Sequence, residues 1–342
     1  MMEECCAYCY SVGTDSTSSI GGQPNKLLCC GKCKKRKYCS KECQRLDWKE
    51  GSHKHFCTVG VGEFNVDWQV KSSTYHSGGL GVFALRTIQK DEIIMVERPI
   101  IKYPTPILDD NVPATALPAV MKLYPSSETA SVTLQDIYKY NAMAMTDDDD
   151  DHVTGLFIRM SRVNHHCLGN TIHRYLENRG AKILVASRAI QEGEEITFSY
   201  VSQSSFNVRR AKLSLTYRFI CNCNACTNPD IESELEKLQS LDDAILQFGS
   251  MGRVDQALQK GKALLALYDR YQMSSWMYFR TYYDLYQVAI TKRKTMKQGI
   301  RYIKLAYESA MTFTSDEENA SVIMMKGYVD SPTSHRNYMV LD

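Results

Sequence analysis

The sequence predicts a multidomain α+β protein: a small metal-stapled N-terminal segment, a mostly-β middle and an all-α C-terminal part. Three observations predict it. Residues 1–58 are rich in cysteine and lysine and poor in large aliphatics, so they cannot close a core of their own and need another tie. Short β-prone runs divided by glycine and charged turns occupy the stretch from about Gly62 to Ile101, and strand character returns from Asn170 to Val201. Beyond about Asp230, apolar residues recur at helical spacing.

The 342 residues suit two or three domains of roughly 100–200 residues each. A formal net charge of +2 gives no global pull toward nucleic acid or membrane. The thirteen cysteines are an odd number, and the start Met1-Met2-Glu3-Glu4-Cys5-Cys6 lacks the basic and apolar stretches of a secretory signal. The expected compartment is therefore reducing, cytosol or nucleus, where clustered cysteines read as metal ligands. The longest apolar runs, such as Glu92 to Ile101, are broken by charge and too short to span a bilayer.

The first segment carries its ligands in pairs: Cys6-x2-Cys9, Cys30-x2-Cys33, Cys39-x3-Cys43 and His53-x3-Cys57. A short knuckle presents two ligands from one turn, and a tetrahedral zinc takes four. Eight ligands thus make two sites, and Cys5 and Cys29 are left over. Structural zinc contributes on the order of 10–16 kcal/mol in small fingers, enough to replace the missing core. The basic run Lys32, Lys34, Lys35, Arg36, Lys37 invites a nucleic-acid reading, but a solvated finger surface is the simpler expectation.

In the middle, Trp68 to Ser72, Gly81 to Ile88 and Glu92 to Ile101 read as strands. Tyr103 to Ser127 is rich in proline and reads as an insertion. Leu134 to Met145 is expected to be helical. The acidic run Asp147 to Asp151 should stay solvated, with the further hypothesis that it attracts a basic substrate segment. Strand character returns at Asn170 to Leu176, Lys182 to Ile190 and Glu195 to Val201. Both alternating sets of Lys182 to Ala189 are partly apolar, which predicts a strand covered on both faces. In the last part three stripes predict antiparallel helices: Ala257, Leu258, Gly261, Leu264, Leu265, Tyr268; then Phe279, Tyr282, Tyr283, Tyr286, Ile290; then Ile300, Ile303, Ala306, Tyr307, Ala310, Met311.

A second cysteine cluster, Cys221-x-Cys223-x2-Cys226, offers three ligands and needs a fourth. The one cysteine remaining outside the N-terminal segment is Cys167. The count then closes at three structural zincs held by eleven cysteines and His53.

The run Lys37-Tyr38-Cys39-Ser40-Lys41-Glu42-Cys43-Gln44, then Asp47-Trp48 and His53-x3-Cys57, resembles the MYND zinc finger. The resemblance implies interleaved sites, with Cys6, Cys9, Cys39 and Cys43 on one zinc and Cys30, Cys33, His53 and Cys57 on the other. It also implies a protein-interaction module whose partner is a proline-rich peptide.

Three further segments resemble the SET domain of protein-lysine methyltransferases. Gly79-Leu80-Gly81-Val82-Phe83-Ala84 matches the early G-x-G, whose glycines let backbone approach a cofactor. Arg162-Val163-Asn164-His165-His166-Cys167-Leu168-Gly169-Asn170 matches the N-H-S-C-x-P-N pattern, with His166 for Ser and Gly169 for Pro. Gly193-Glu194-Glu195-Ile196-Thr197-Phe198-Ser199-Tyr200 carries the catalytic tyrosine at Tyr200. The following Arg209-x3-Leu213-x3-Tyr217-x-Phe219-x-Cys221 resembles the post-SET segment of the SET-and-MYND (SMYD-type) subfamily, in which the N-H-S-C cysteine, here Cys167, is the fourth zinc ligand.

The resemblance implies S-adenosylmethionine bound by Gly79, Leu80, Gly81, Asn141, Asn164, His165, Tyr200 and Phe219, and catalysis by Tyr200 and Tyr217. In animal members of the subfamily the finger is inserted after the G-x-G strand; here it precedes Gly79, so SET is unsplit. The expected domains are a finger at 1–58, SET at 62–203 with an insertion at about 102–145, a post-SET zinc segment at 204–230 and helices at 231–342. The expected function is methyl transfer to a lysine of a protein substrate, by a monomer with no membrane and no nucleic acid as main partner. A non-catalytic adaptor that recruits partners in transcriptional regulation is the alternative, and cofactor binding separates the two.

Overall fold

The computed structural model describes residues 4–13, 26–51, 53–73, 79–125, 132–145, 153–201, 206–314 and 317–342. The acidic run Asp147–Asp151 and most of the polar stretch Ser11–Asn25 lie outside the described residues. The chain divides into two units, residues 1–198 with 216–219, and residues 199–215 with 220–342.

The first unit opens with the finger: the hairpin β1 (Leu28–Cys29) and β2 (Lys37–Tyr38), then helices α1 (Lys41–Lys49) and α2 (His53–Phe56). Ser40 caps α1 by accepting from the Cys43 amide at 3.1 Å, so the helix starts between two ligand cysteines and sets both on one side. The finger shares its unit with the strand-rich residues that follow. Phe56 packs with Val61, Ile93, Val96, Ile183 and Val185, and Tyr10 packs with Ile101, Val112, Leu134, Ile137 and Leu156. Apolar burial that a small finger cannot reach alone is obtained from its neighbour.

The strand-rich part runs β3 (Trp68–Ser72), β4 (Leu80–Ala84), β5 (Ile93–Glu97) and β6 (Ile101–Lys102), with α3 (Leu117–Val120) and α4 (Leu134–Asn141) in the insertion. β7 (Ala142–Ala144), β8 (Thr154–Leu156), β9 (Asn164–His165), β10 (Thr171–Leu176), β11 (Ala181–Ala186) and β12 (Glu195–Phe198) complete it. They form three sheets, ordered β10-β11-β5, β3-β4-β12-β9 and β6-β8-β7. Every residue of β11 is buried, as its double apolar alternation predicts. The helix expected over Leu134–Met145 stops at Asn141, and Ala142–Ala144 pairs with β8 instead. Thr133 and Asp136 make a capping box at its start. Its end is set by the Asn141 side chain, which donates to the Ile137 carbonyl at 2.7 Å and to the Tyr124 carbonyl.

The second unit holds α5 (Phe206–Lys212), a π-turn at Leu213–Tyr217 that returns to the first unit from Thr216, and α6 (Asn224–Thr227). Five long helices follow: α7 (Pro229–Ser250), α8 (Val254–Tyr271), α9 (Ser275–Ala289), α10 (Met296–Thr314) and α11 (Ala320–Asp330). α9 departs from a single stripe. Thr281, Leu285, Val288 and Ala289 are buried together with Phe279 and Tyr286, because α7, α8 and α10 all pack against it. In α10 the seam is Gly299, Tyr302, Ile303, Ala306, Ala310 and Phe313, with Ile300, Tyr307 and Met311 half-buried beside it. Among the described residues no helix is long and apolar enough to cross a membrane.

Candidate active site and metal centres

Three groups of four ligand-type side chains form, each with its ligand atoms within 4.8 Å of one another. They are Cys6, Cys9, Cys39 and Cys43; Cys30, Cys33, His53 and Cys57; and Cys167, Cys221, Cys223 and Cys226. In the first, Cys9 and Cys39 sulfurs lie 3.5 Å apart, as do those of Cys39 and Cys43. In the second, His53 Nε2 lies 3.4 Å from Cys30 Sγ and 3.7 Å from Cys33 Sγ, and the Cys30 and Cys57 sulfurs are 3.8 Å apart. A tetrahedron with Zn–S arms of about 2.3 Å has edges of about 3.8 Å, so these sets fit zinc. Burial, then the Arg36 guanidinium, pushes His53 down to about 4, which leaves a neutral imidazole with a lone pair for a metal. Cys5 and Cys29 stay outside the groups, Cys29 at the surface.

The basic run of the finger is solvated except at Arg36. Arg36 is 6% exposed. It donates from Nε to Asp47 at 2.7 Å and from Nη1 to Glu63 at 3.1 Å, and the Tyr38 hydroxyl donates to the same Asp47 at 2.7 Å. Lys35 pairs with Asp67 at 3.0 Å, and Lys37 pairs with Glu4. Only Lys32 and Lys34 of the run are fully at the surface.

The other concentration of polar chemistry is the four-stranded sheet. β12 pairs with β4 on one side and, in parallel, with β9 on the other, through Thr197 opposite Asn164 and Phe198 opposite His165. β4 with its Gly81, the Asn164–His165 pair and the strand that leads to Tyr200 are thereby neighbours. Asn164 donates to the Leu80 carbonyl at 3.1 Å and to Glu195 Oε1 at 2.7 Å, and Ser73 donates to Glu195 Oε2 at 2.7 Å. A Cβ at position 81 would collide with the Glu195 carboxylate and the Asn164 amide, so Gly81 is what lets these strands carry that cluster. A cavity of about 220 Å³ lies against the same strands, bordered by Phe83, His166, Glu195 and Thr197.

Comparison with known proteins agrees with this layout. Residues 79–201 match the SET domain family, and residues 6–57 match the MYND finger. The chain thus carries a segment that matches SET, preceded by one that matches the MYND finger. It is 26% identical over 231 residues to the N-lysine methyltransferase SMYD2 of Bos taurus, covering 63% of this chain and 51% of the relative. The Homo sapiens N-lysine methyltransferase SMYD2 is 25% identical over 255 residues, covering 70% of this chain and 54% of that protein. The Histone-lysine N-methyltransferase SET5 of Candida albicans is 34% identical over 86 residues, which are 25% of this chain and 18% of the relative. The chain spans about half the length of the SMYD2 proteins it matches.

Both departures of the SET motif have a local reason. A Cβ at Gly169 would lie 2.5 Å from Phe198 Cα and 2.8 Å from the Thr197 carbonyl oxygen, so backbone meets backbone where the family pattern has proline. His166 Nδ1 accepts from the Leu168 amide at 3.0 Å, so the imidazole closes the turn between the two motif halves. Asn170 is 2% exposed and pins β12 by donating to the Glu195 carbonyl at 2.8 Å and accepting from the Thr197 amide at 2.8 Å.

His165 is buried, with Nε2 3.3 Å from Cys167 Sγ and its ring 5.8 Å from that of Phe219. Tyr200, two residues past β12, and Tyr217 and Phe219 are half-buried. Gly79 stands at the open end of the turn, with nothing within 4 Å of a Cβ there. Asn141 ends α4 in the insertion, with its amide donating to backbone carbonyls and its own backbone carbonyl accepting from Ser161 Oγ at 3.4 Å. Sequence reasoning passed over Glu195 and Ser73, although Glu195 lies inside the run ending at Tyr200, and over Glu97, whose signal was a carboxylate closing the apolar run Ile93–Glu97.

Proposed function

We propose that the chain is an S-adenosylmethionine-dependent protein-lysine methyltransferase. The observation that carries this reading is the meeting of Gly81, Asn164 and the strand ahead of Tyr200 in one sheet. S-adenosylmethionine supplies a methyl group on an electrophilic sulfonium. Gly79, with nothing within 4 Å of where a Cβ would stand, would offer open backbone to the cofactor, beside Leu80 and Gly81. Asn164 and His165 would hold the cofactor, with Phe219 packing beside the His165 ring. Asn141 belongs to this set through the resemblance; the bonds its amide makes at the end of α4 leave it a helix-capping role as well.

A target lysine must lose its proton before it can act as a nucleophile, although its free pKa is about 10.4. Apolar aromatic walls, to which Tyr217 would contribute, disfavour the ammonium. The Tyr200 hydroxyl would orient the amine in line with the methyl group. The metal groups would hold three structural zincs with no part in the chemistry. The substrate is a protein with a target lysine, the finger is the place for a proline-rich partner, and the compartment is cytosol or nucleus. His166 and Gly169, the departures that favour the adaptor reading, are each accommodated by the geometry around them, and cofactor binding separates the two readings.

The test is Tyr200→Phe, assayed with labelled cofactor on a protein substrate identified from a cell lysate. Zinc content and cofactor affinity should hold, while methyl transfer falls about 10²–10³-fold, the loss of a transition-state contact of about 2.7–4 kcal/mol. Wild-type activity in Tyr200→Phe would place the catalytic tyrosine elsewhere. A wild-type chain that binds no cofactor would leave the adaptor.

A further inference from the structure

Glu97 ends β5 and is 3% exposed. Its carboxyl accepts four hydrogen bonds. The Arg159 amide donates to Oε1 at 2.8 Å and to Oε2 at 3.1 Å, the Met160 amide donates to Oε2 at 2.9 Å, and the Tyr10 hydroxyl donates to Oε1 at 2.7 Å. A carboxyl taken this far out of water is costly unless its oxygens are satisfied, and here two backbone amides and one phenol satisfy them. The partners come from two distant places. Arg159 and Met160 open the 3-10 turn Met160–Arg162, which runs through Val163 directly into Asn164 and His165. Tyr10 belongs to the finger and follows the ligand Cys9.

Tyr10 is held firmly. Its backbone takes the left-handed φ of 61°, which a bulky residue adopts only where its surroundings require it. Its amide donates to the Cys6 carbonyl at 3.1 Å, inside the knuckle that presents Cys6 and Cys9. Its ring is buried in the insertion core, and the Arg159 guanidinium lies over it at 5.5 Å from the ring centre. The finger therefore grips the residue before the turn from two sides, through the Glu97 carboxyl and through the cation above the phenol.

We infer that Tyr10 and Glu97 are positioning residues, through which the finger fixes the turn that carries Asn164 and His165. They act by clamping the amides of Arg159 and Met160, and Asn164 reaches Leu80 and Glu195 only if that turn is in register. The consequence for cofactor affinity rests on the function proposed above; the clamping itself does not. It also assigns a purpose to the finger's place ahead of an unsplit SET domain: the finger is a structural member of the methyl-donor side.

The experiment uses the full zinc-loaded chain with Tyr10→Phe, which removes one hydroxyl and keeps the ring. The control is Lys35→Ala, which breaks a different tie of the finger, to Asp67. Hydrogen–deuterium exchange, read without cofactor, should rise roughly tenfold over residues 160–166 in Tyr10→Phe, the size expected when a hydrogen bond to a buried carboxyl is lost. Lys35→Ala should leave that segment unchanged. Where the wild type binds S-adenosylmethionine, its Kd should rise by roughly the same factor in Tyr10→Phe, with kcat at saturating cofactor nearly unchanged and zinc content at the wild-type level. Unchanged exchange over 160–166 in both Tyr10→Phe and Glu97→Gln overturns the inference. So does equal exchange in Tyr10→Phe and Lys35→Ala, which would mean general loosening. A wild type that binds no cofactor defeats the proposed function, while the exchange comparison still decides the clamp.

Discussion

Two glycines and one asparagine set how closely the strands of the site approach. At position 169 the obstacle to any side chain is the Cα of Phe198 and the Thr197 carbonyl, and backbone in a paired strand cannot move aside as a side-chain tip can. Gly169→Ala should therefore destabilise the first unit by about 1–3 kcal/mol, the usual cost of overpacking. A fall in Tm with a shifted β9–β12 pairing is the expected result; a variant as stable as wild type would mean that β9 can slide. Asn164→Ala is a different case. It removes donors to Leu80 and Glu195 and leaves a carboxyl held by Ser73 alone. It should weaken cofactor binding as well as turnover, unlike Tyr200→Phe, and titration calorimetry on the two variants separates them.

The zinc-stapled turns and the helices of the second unit respond to different variables. Cys167→Ser removes one of four ligands from its group, so metal analysis should give two zincs in place of three, with a lower Tm; three zincs at wild-type stability would exclude Cys167 as a ligand. Among the helices, burial and then the neighbouring Asp242 push Asp284 of α9 up to about 6. Arg280 works in the opposite direction, and the Gln287 amide donates to Asp284 Oδ1 at 3.3 Å. An acid whose folded pKa lies above its unfolded value is favoured in its protonated form by the fold. Its contribution is full below about pH 4, near the free value, and is lost as pH rises through about 6. Asp284→Asn cannot ionise. Its Tm should match wild type near pH 4 and exceed it above pH 6; a difference that does not change with pH would refute the shift.

At the scale of the molecule, the finger is part of the SET unit and not a tethered accessory. Phe56 lies in the core of the β10-β11-β5 sheet, and Arg36 joins Asp47 of the finger to Glu63 beyond it. A buried guanidinium between two carboxylates is held in place by the cost of separating any one of them. Chelating the finger metals should accordingly lower the melting transition of the whole first unit, where a tethered finger would unfold alone and leave the rest unchanged. Differential scanning calorimetry with and without a strong chelator reads this directly. Ion pairs take Arg36 off the surface and hold Lys35 and Lys37 against carboxylates, so binding to DNA or RNA should be weak and without the steep salt dependence of a phosphate-binding protein.

Some of this was legible in the residues alone. Ligand pairs with two or three residues between them sit on one turn whatever surrounds them, so the pairs Cys6 and Cys9, Cys30 and Cys33, and Cys223 and Cys226 could be read from spacing, while which finger pairs share a zinc came from the family resemblance. Period-two and helical apolar patterns likewise report a local geometry, which is why the helices α8 to α10 stand on the stripes that predicted them and β11 occupies the first half of the strand expected over 182–190. Tertiary structure alone decided the rest. The end of α4 at Asn141 depends on the Tyr124 carbonyl, 17 residues away. Arg36 was indistinguishable from Lys32 and Lys34 until Asp47 and Glu63 closed on it. Tyr10 and Glu97 are 87 residues apart, and nothing in the segment of either names the other. A side chain's spacing along the chain is a property of its own segment; its partner, burial and charge environment belong to whichever segment folds against it.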